Sequence, residues 1–157
     1  MFLAINASEF ESATAGSPEL VRRNNHLVVG LDAAAVESFV CKNRMPLDYN
    51  SGSNVTGTVR GIAASATSGA VRVRLEFEAC GAQDFDSDGF ASAVEVTSSA
   101  ASGTNGVLFD AVFTLSNSNM DAVAAGGLFR VKISRVGSDG ADTMTGDFQV
   151  QDLVLEQ

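Results

Sequence analysis

The sequence has few of the side chains on which most catalytic and disulfide-rich proteins depend. Among 157 residues there are no tryptophans, one tyrosine, one histidine and two cysteines. A Ser-His-Asp catalytic triad would have to combine His26 with a distant serine, and the sequence contains no nucleophile-elbow motif around such a serine. Cys41 and Cys80 lie in strand-like segments without an obvious base partner, and no glycine-rich phosphate loop leads into a helix. We therefore expect neither an enzyme nor a cofactor.

Positive charge is also scarce. Ten Lys and Arg residues oppose 19 Asp and Glu residues, which gives a formal net charge of −9. Such a surface repels phosphates, so we expect no nucleic acid partner. No apolar run approaches the roughly twenty residues that cross a bilayer, so we expect no membrane partner either. The first residues carry no basic leader, which argues against a secretory signal, and the two cysteines are expected to be reduced and half-buried.

From residue 26 onward, the chain alternates apolar and polar residues in short runs bounded by Gly, Ser, Asn or Asp, as strands do. Segments 32–38 and 119–127 are the only places where a helical turn is plausible, and both are too short to form a helix layer. An antiparallel β-sandwich is therefore predicted, with a jelly roll as the first choice and an immunoglobulin-like topology as the alternative. One inward face is predicted to hold Val107, Phe109, Ala111, Phe113 and Leu115. The eight runs are residues 26–31, 37–45, 54–62, 70–80, 92–99, 106–115, 127–136 and 147–155.

The first 25 residues show no sustained period, and they contain turn signals at 15–19 and 22–25. The predicted organisation is an extended N-terminal arm over residues 1–25, followed by one sandwich domain over residues 26–157. The apolar N-terminal segment, MFLAI, must be shielded from water by other residues. It would either fold back onto its own sandwich or dock on a neighbouring molecule as an added strand.

Residues 84–95, DFDSDGFASAVE, match the spacing of a calcium-binding loop, with carboxylates at the first, third, fifth and twelfth places and glycine at the sixth. Such loops usually join two helices. Here strand-like segments flank the loop, and Asp and Gly are also favoured in hydrated turns. The turn interpretation is preferred, so no metal ligand is assigned.

The preceding run alternates Val71, Val73, Leu75 and Phe77 with charged residues. Those charged residues could form a recognition face. A solvated sheet face with weak cross-strand ion pairs is the preferred interpretation. They are Arg72, Arg74, Glu76 and Glu78.

Two further segments, RMPLDYNSGS at 44–53 and SRVGSDGADTMTGDFQVQDLVL at 134–155, resemble a β-sandwich family of uncharacterised structural proteins from tailed bacteriophages. The resemblance covers residues 27–155 or so. It implies fold markers rather than an active site: Pro46 sets a turn, Tyr49 caps the sandwich edge and the acidic loop bonds its own backbone. The third predicted strand, NVTGTVRGI, lacks the aromatic residues frequent there in relatives. The matching positions are Met45, Pro46, Tyr49, Gly52, Ser138, Asp139, Gly140, Ala141, Asp142 and Thr143.

These features together suggest a non-enzymatic protein of the virion, made in the host cytoplasm. The favoured prediction is a capsid decoration or cement protein that grips the major capsid protein, or another virion protein, through its arm and assembles as a symmetric oligomer, preferably a trimer. The alternative is a tail-fibre or receptor-binding module that contacts host glycans. That alternative predicts a cleft with exposed aromatic residues, and the sequence offers only Tyr49 and some Phe.

Overall fold

A computed structural model describes residues 1–12, 18–81 and 89–157. The described residues form eleven strands and two short 3₁₀ turns, and no helix among them is long and apolar enough to span a membrane. The strands are β1 (Phe2–Asn6), β2 (Phe10–Ser12), β3 (Glu19–Arg23), β4 (His26–Leu31), β5 (Val36–Arg44), β6 (Val55–Ala63), β7 (Arg72–Ala79), β8 (Val94–Thr97), β9 (Leu108–Leu115), β10 (Leu128–Val136) and β11 (Phe148–Glu156).

The strands form two antiparallel sheets that face each other. The front sheet has the order β3-β4-β11-β6-β9, with β1 also paired to β11, and the back sheet has the order β2-β5-β10-β7-β8. The eight predicted runs correspond to β4 through β11. Their orders, β4-β11-β6-β9 and β5-β10-β7-β8, are those of a jelly roll. The predicted all-β, antiparallel jelly-roll sandwich is therefore confirmed.

The core lies between the sheets and is filled by alternate residues of each strand. In β6, every second residue from Val55 to Ala63 is buried, which gives the period of two that the sequence shows. Of the inward face predicted for β9, Val107 is an exception, because it precedes the strand and is exposed. The fully enclosed aromatic side chains are Phe39, Phe77, Phe113, Phe129 and Phe148.

The N-terminal segment differs from the predicted arm. β1 pairs with β11, β3 pairs with β4, and β2 pairs with β5 of the other sheet. Ile5 is 1% exposed and belongs to the core. The described part of residues 1–25 thus folds back onto its own sandwich. Its strands escape sequence analysis because they are three to five residues long and obtain their hydrogen bonds from distant segments.

The loops of the family resemblance hold the ends of the sandwich. Tyr49 is buried, and its hydroxyl accepts a hydrogen bond of 2.9 Å from Asn117 Nδ2. Pro46 opens a turn in which its carbonyl accepts from Tyr49 N at 3.2 Å. In the acidic loop, Ala141 N donates to Asp139 Oδ1 at 2.8 Å, so the loop bonds its own backbone as predicted.

Beneath this loop lies a buried ion pair. The side chains of Arg135 and Asp142 are 0% and 2% exposed, and Arg135 Nη2 lies 2.7 Å from Asp142 Oδ1. Arg135 also donates to the carbonyls of Leu31, Met144 and Gly146. One guanidinium thereby links the end of β4 and the segment before β11 to the interior.

Candidate functional site

The outer face of the front sheet carries cross-strand rows of side chains that differ in polarity. The middle row is polar, and the adjacent rows are largely apolar on either side. Because paired residues in adjacent strands project from the same face, the register defines each row. The middle row is Asp110, Arg60, Asp152 and Asn6. One neighbouring row contains Leu108, Ile62 and Gln149, and the other contains Val112, Thr58, Val154 and Ala4.

At one end of this face lies a cavity of about 370 Å³. Three apolar side chains and five more polar or small residues surround it, and the β3–β4 turn forms one wall. Asn24 and Asn25 in that turn have φ values of 44° and 67°, the conformation of a tight hairpin turn that matches strand twist. The lining residues are Arg23, Asn24, His26, Val28, Ile62, Gly106, Leu108 and Gln151.

Arg23 reaches from the edge strand across the sheet. Its Nη1 donates to Ala64 O at 2.8 Å, Gln149 Oε1 at 3.0 Å and Ala63 O at 3.3 Å. Its Nη2 faces Gly106, where a Cβ would lie 3.2 Å away and φ is +78°. Glycine is therefore suited to both the backbone conformation and the close approach at this point.

The polar row contains an ion pair beside the carboxylate of Asp152. Arg60 Nε donates to Asp110 Oδ1 at 3.1 Å. Asp152 Oδ1 is buried and has no hydrogen-bond partner among the described residues. Burial raises the pKa of Asp152 above its ordinary value, the nearby charge of Arg60 opposes this shift, and Asp110 adds to it.

Asp152 occupies this place because β11 contains a bulge. The register with β6 shifts between Val150 and Asp152, which directs Gln151 to the cavity and Asp152 to the polar row. A bulge bends a strand and re-aims its side chains, often beside functional sites.

On the outer face of the back sheet, by contrast, three cations form cross-strand ion pairs. Arg74 Nη2 lies 2.6 Å from Glu95 Oε1, Lys132 Nζ lies 2.8 Å from Glu76 Oε2, and Arg130 binds Glu78. The ring of Phe90 covers part of this face, with Lys132 Nζ 4.7 Å from its centroid. The interpretation of the charged strand 70–80 as a sheet face with cross-strand ion pairs is confirmed, although Glu78 is only 1% exposed.

The calcium-like loop is only partly within the described residues. Asp84, Asp86 and Asp88 lie outside them. Glu95, at the twelfth position of the loop pattern, lies in β8 and forms ion pairs with Arg72 and Arg74. The described parts of the chain contain no group of three or more His, Cys, Asp or Glu side chains that could hold a metal ion.

The remaining candidate residues are dispersed. His26 begins β4 and is exposed at the cavity. Cys41 and Cys80 are free thiols, as predicted. Burial raises the pKa of Cys41 to about 12, and burial also raises the pKa of Cys80. Neither thiol is therefore an activated nucleophile near neutral pH.

Sequence analysis missed Arg23 and Asp152. Arg23 lay in the segment predicted to be an arm, and Asp152 lay in a run interpreted as a regular strand. One signal was present: Gln151 and Asp152 are consecutive polar residues that interrupt the alternation of FQVQDLVL. Such an interruption is typical of a bulge.

No family model matches this chain, and no curated protein matches it. Solved structures are similar in fold. The CBM36-1 domain of a multidomain xylanase from the hindgut metagenome of Trinervitermes trinervoides is 13% identical with a TM-score of 0.53, and the match covers 100% of this chain and 98% of that one. Arthrobacter globiformis T6 isomalto-dextranase complexed with panose is 16% identical with a TM-score of 0.54, covering 99% of this chain and 23% of that one.

The prediction of a capsid decoration protein is wrong. It depended on an N-terminal fastener, and the described N-terminal strands are instead members of the two sheets. The fold matches a carbohydrate-binding module over the full length of both chains.

Proposed function

We propose that this protein is a carbohydrate-binding module that holds an oligosaccharide against the outer face of the front sheet. The observation that carries the proposal is the buried Asp152 Oδ1, which lacks a hydrogen-bond partner among the described residues and lies in a polar row on an otherwise largely apolar face. A buried polar atom without a partner is costly unless a ligand or solvent satisfies it. The side chain of Asp152 as a whole is half-buried, so a rotation of its carboxylate can expose this oxygen to a sugar hydroxyl, which then donates the missing hydrogen bond.

The row suits a saccharide in spacing as well as in chemistry. Adjacent strands are about 4.8 Å apart, so Asp110, Arg60, Asp152 and Asn6 offer hydrogen-bonding groups at regular steps across the sheet. Carboxylates accept from hydroxyls, and Arg60 donates to ring or hydroxyl oxygens. The apolar rows on either side provide surfaces for the C–H faces of sugar rings.

Aromatic residues contribute less than the glycan-binding alternative predicted. Tyr49 is 6% exposed and belongs to the core, so it is not available to a ligand. Phe2 is 64% exposed and pairs with Glu156, one row beyond Val154 on the same outer face. We infer that Phe2 extends the binding surface and that hydrogen bonding to the polar row contributes most of the specificity.

The likeness to known structures supports this function without identifying the sugar. The full-length match to the CBM36-1 domain of a xylanase concerns a carbohydrate-binding module. The isomalto-dextranase was solved with panose, and this chain covers 23% of its length. A module that binds glycans without cleaving them agrees with the match to the CBM36-1 domain and with the expectation of no catalytic activity.

A location in a virion and the membership of a phage structural family stay predictions. Within that setting, the glycan-binding alternative describes a tail-fibre or receptor-binding module that recognises host surface glycans. The same binding face would serve a module that recognises a free polysaccharide. The sugar specificity of the face distinguishes these settings.

A glycan array followed by calorimetric titration tests the proposal. We expect the wild-type chain to bind oligosaccharides, and Asp152→Asn to weaken binding about tenfold, because one charge-assisted hydrogen bond is lost. Glu76→Gln, on the outer face of the back sheet, is the matched control and should bind as the wild type does. Absence of array binding by the wild type, or equal losses in both variants, would contradict the proposal.

A further inference from the structure

We propose that the cavity beside Arg23 and His26 is a subsite for the carboxylate of an acidic sugar. The inference rests on the proposed glycan-binding function and adds a ligand class to it: oligosaccharides that contain uronic acid residues. The cavity lies at one end of the same outer face that carries the polar row.

Arg23 is an exception among the cations of this protein. Seven Lys and Arg side chains are buried or half-buried, and six of them form ion pairs with Asp or Glu. Arg23 is the seventh, and within the described ranges its hydrogen-bond acceptors are the neutral oxygens of Ala63, Ala64 and Gln149. The six paired cations are Arg60, Arg72, Arg74, Arg130, Lys132 and Arg135.

A half-buried cation that lacks a carboxylate partner favours the binding of an anionic ligand. The described residues that line the cavity include Arg23 and His26 but no Asp or Glu. The three neutral acceptors all use Nη1 of Arg23, whereas Nη2 is directed toward Gly106 at the cavity wall. The guanidinium is thus positioned before a ligand arrives, and a planar carboxylate is the group that its fork of donors matches best.

His26 and Asn24 supply additional donors from the same hairpin. Arg23 and His26 are directly opposite each other in the β3–β4 pair, so their side chains leave the same face of the sheet. The turn between them contains Asn24 and Asn25 with positive φ, a tight connection that limits the movement of both walls. Preorganised donors reduce the entropic cost of binding.

The remaining lining favours a sugar that carries the carboxylate over a free inorganic anion. Val28, Ile62 and Leu108 form an apolar floor, and the volume of about 370 Å³ exceeds what one small anion needs. Ile62 and Leu108 are each two residues from Arg60 and Asp110 on the same strands, about 7 Å away. One sugar unit in the cavity can therefore be continuous with a chain along the polar row.

The net charge limits the kind of acidic glycan. With a formal charge of −9, the protein repels dense polyanions at long range. We therefore expect a preference for oligosaccharides with isolated carboxylates over heavily sulfated chains. This preference also separates the proposed site from nonspecific attraction of anions to a basic patch.

The test is an array of glucuronate-, galacturonate- and mannuronate-containing oligosaccharides, each presented before and after chemical reduction of its carboxyl groups. We expect the wild-type chain to bind an acidic member about tenfold more tightly than its reduced counterpart. Arg23→Gln should remove this preference while leaving affinity for the reduced sugar unchanged. Arg22→Gln is the matched control, because Arg22 is exposed on the neighbouring position of β3 and should keep the preference.

Arg23 also binds the backbone carbonyls of Ala63 and Ala64, so a second variant separates binding from folding. His26→Ala removes an exposed cavity residue and should reduce the preference severalfold without changing the melting temperature. Equal binding of acidic and reduced sugars by the wild type would overturn the carboxylate subsite and leave glycan binding standing. Binding of neither form would overturn the carboxylate subsite, whereas the proposed function falls only if the general glycan array also shows no binding.

Discussion

The two outer faces of this sandwich are built from strands of the same kind, but they differ in how many of their half-buried charged groups are paired with one another. On the back sheet, Arg74, Arg130 and Lys132 each meet a carboxylate of an adjacent strand. On the front sheet, Arg23 has neutral acceptors alone, and Asp152 retains a buried oxygen without a partner among the described residues. The back face can be stable by itself. The front face keeps polar groups without charged partners among the described residues, and we propose that a ligand satisfies them.

The largest expected effect concerns the interior that supports both faces. Arg135→Met should lower the free energy of unfolding by about 3–5 kcal/mol, because Asp142 would stay buried without its cation. Urea unfolding followed by circular dichroism measures the change. The double variant Arg135→Met, Asp142→Leu should recover a large part of the loss. A loss below about 1 kcal/mol in the single variant would mean that the pair is not essential to the interior.

The substitution Asp152→Asn on the front face should have a smaller effect of the opposite sign, which is an increase in the free energy of unfolding. Burial raises the folded-state pKa of Asp152 above its unfolded value, so the folded state holds this proton more tightly. Wild-type stability is therefore lost as the pH rises from the unfolded toward the folded pKa, and Asp152→Asn avoids that loss. We expect the variant to be more stable than the wild type at pH 7.

The difference should disappear as the pH falls below the ordinary range of an aspartate pKa, where the wild-type group is neutral in both states. Urea titrations at several pH values measure it. The same variant should bind glycans more weakly, so gain of stability and loss of binding should occur together. A variant less stable than the wild type at pH 7 would indicate that the attraction of Arg60 outweighs the burial of Asp152.

The smallest effect is expected on the back face. Lys132→Ala removes an ion pair to Glu76 and a cation–π contact to Phe90. The cost should be about 1 kcal/mol, because both groups are near the surface. Thermal unfolding measures this cost, and calorimetry should show unchanged glycan affinity. Loss of glycan binding would place the ligand on the back face and reverse the comparison.

The sequence predicted those strands in which burial imposes a local alternation of apolar and polar residues. In β6 and β9, alternate residues such as Val59 and Phe113 face the core, and this period identifies a strand without knowledge of its partner. β1 and β3 were missed because each has five residues, and their stability depends on pairing with β11 and β4. Such pairing is nonlocal, so no local pattern reports it.

The candidate site was harder to predict from the sequence than the fold. Arg23 and Gln149 are separated by 126 positions and form one hydrogen bond. Asp152 could be suspected from the interrupted alternation at Gln151, but its missing hydrogen-bond partner depends on what the neighbouring strands place around it. The functional prediction failed at this step, because scarce aromatic residues were taken to favour a capsid decoration protein over a glycan-binding module, which was kept as the alternative.

The sequence by itself determined the two-layer sandwich, since hydrophobic burial imposes its period on each strand separately. It also determined the acidic net charge and the absence of tryptophan. Only the tertiary structure decided that the N-terminal strands complete the sheets and that Arg23, His26 and Asp152 share one outer face. The physical reason is that sheet register and burial are cooperative properties of strands far apart in the chain, and they determine which polar groups are left for a ligand.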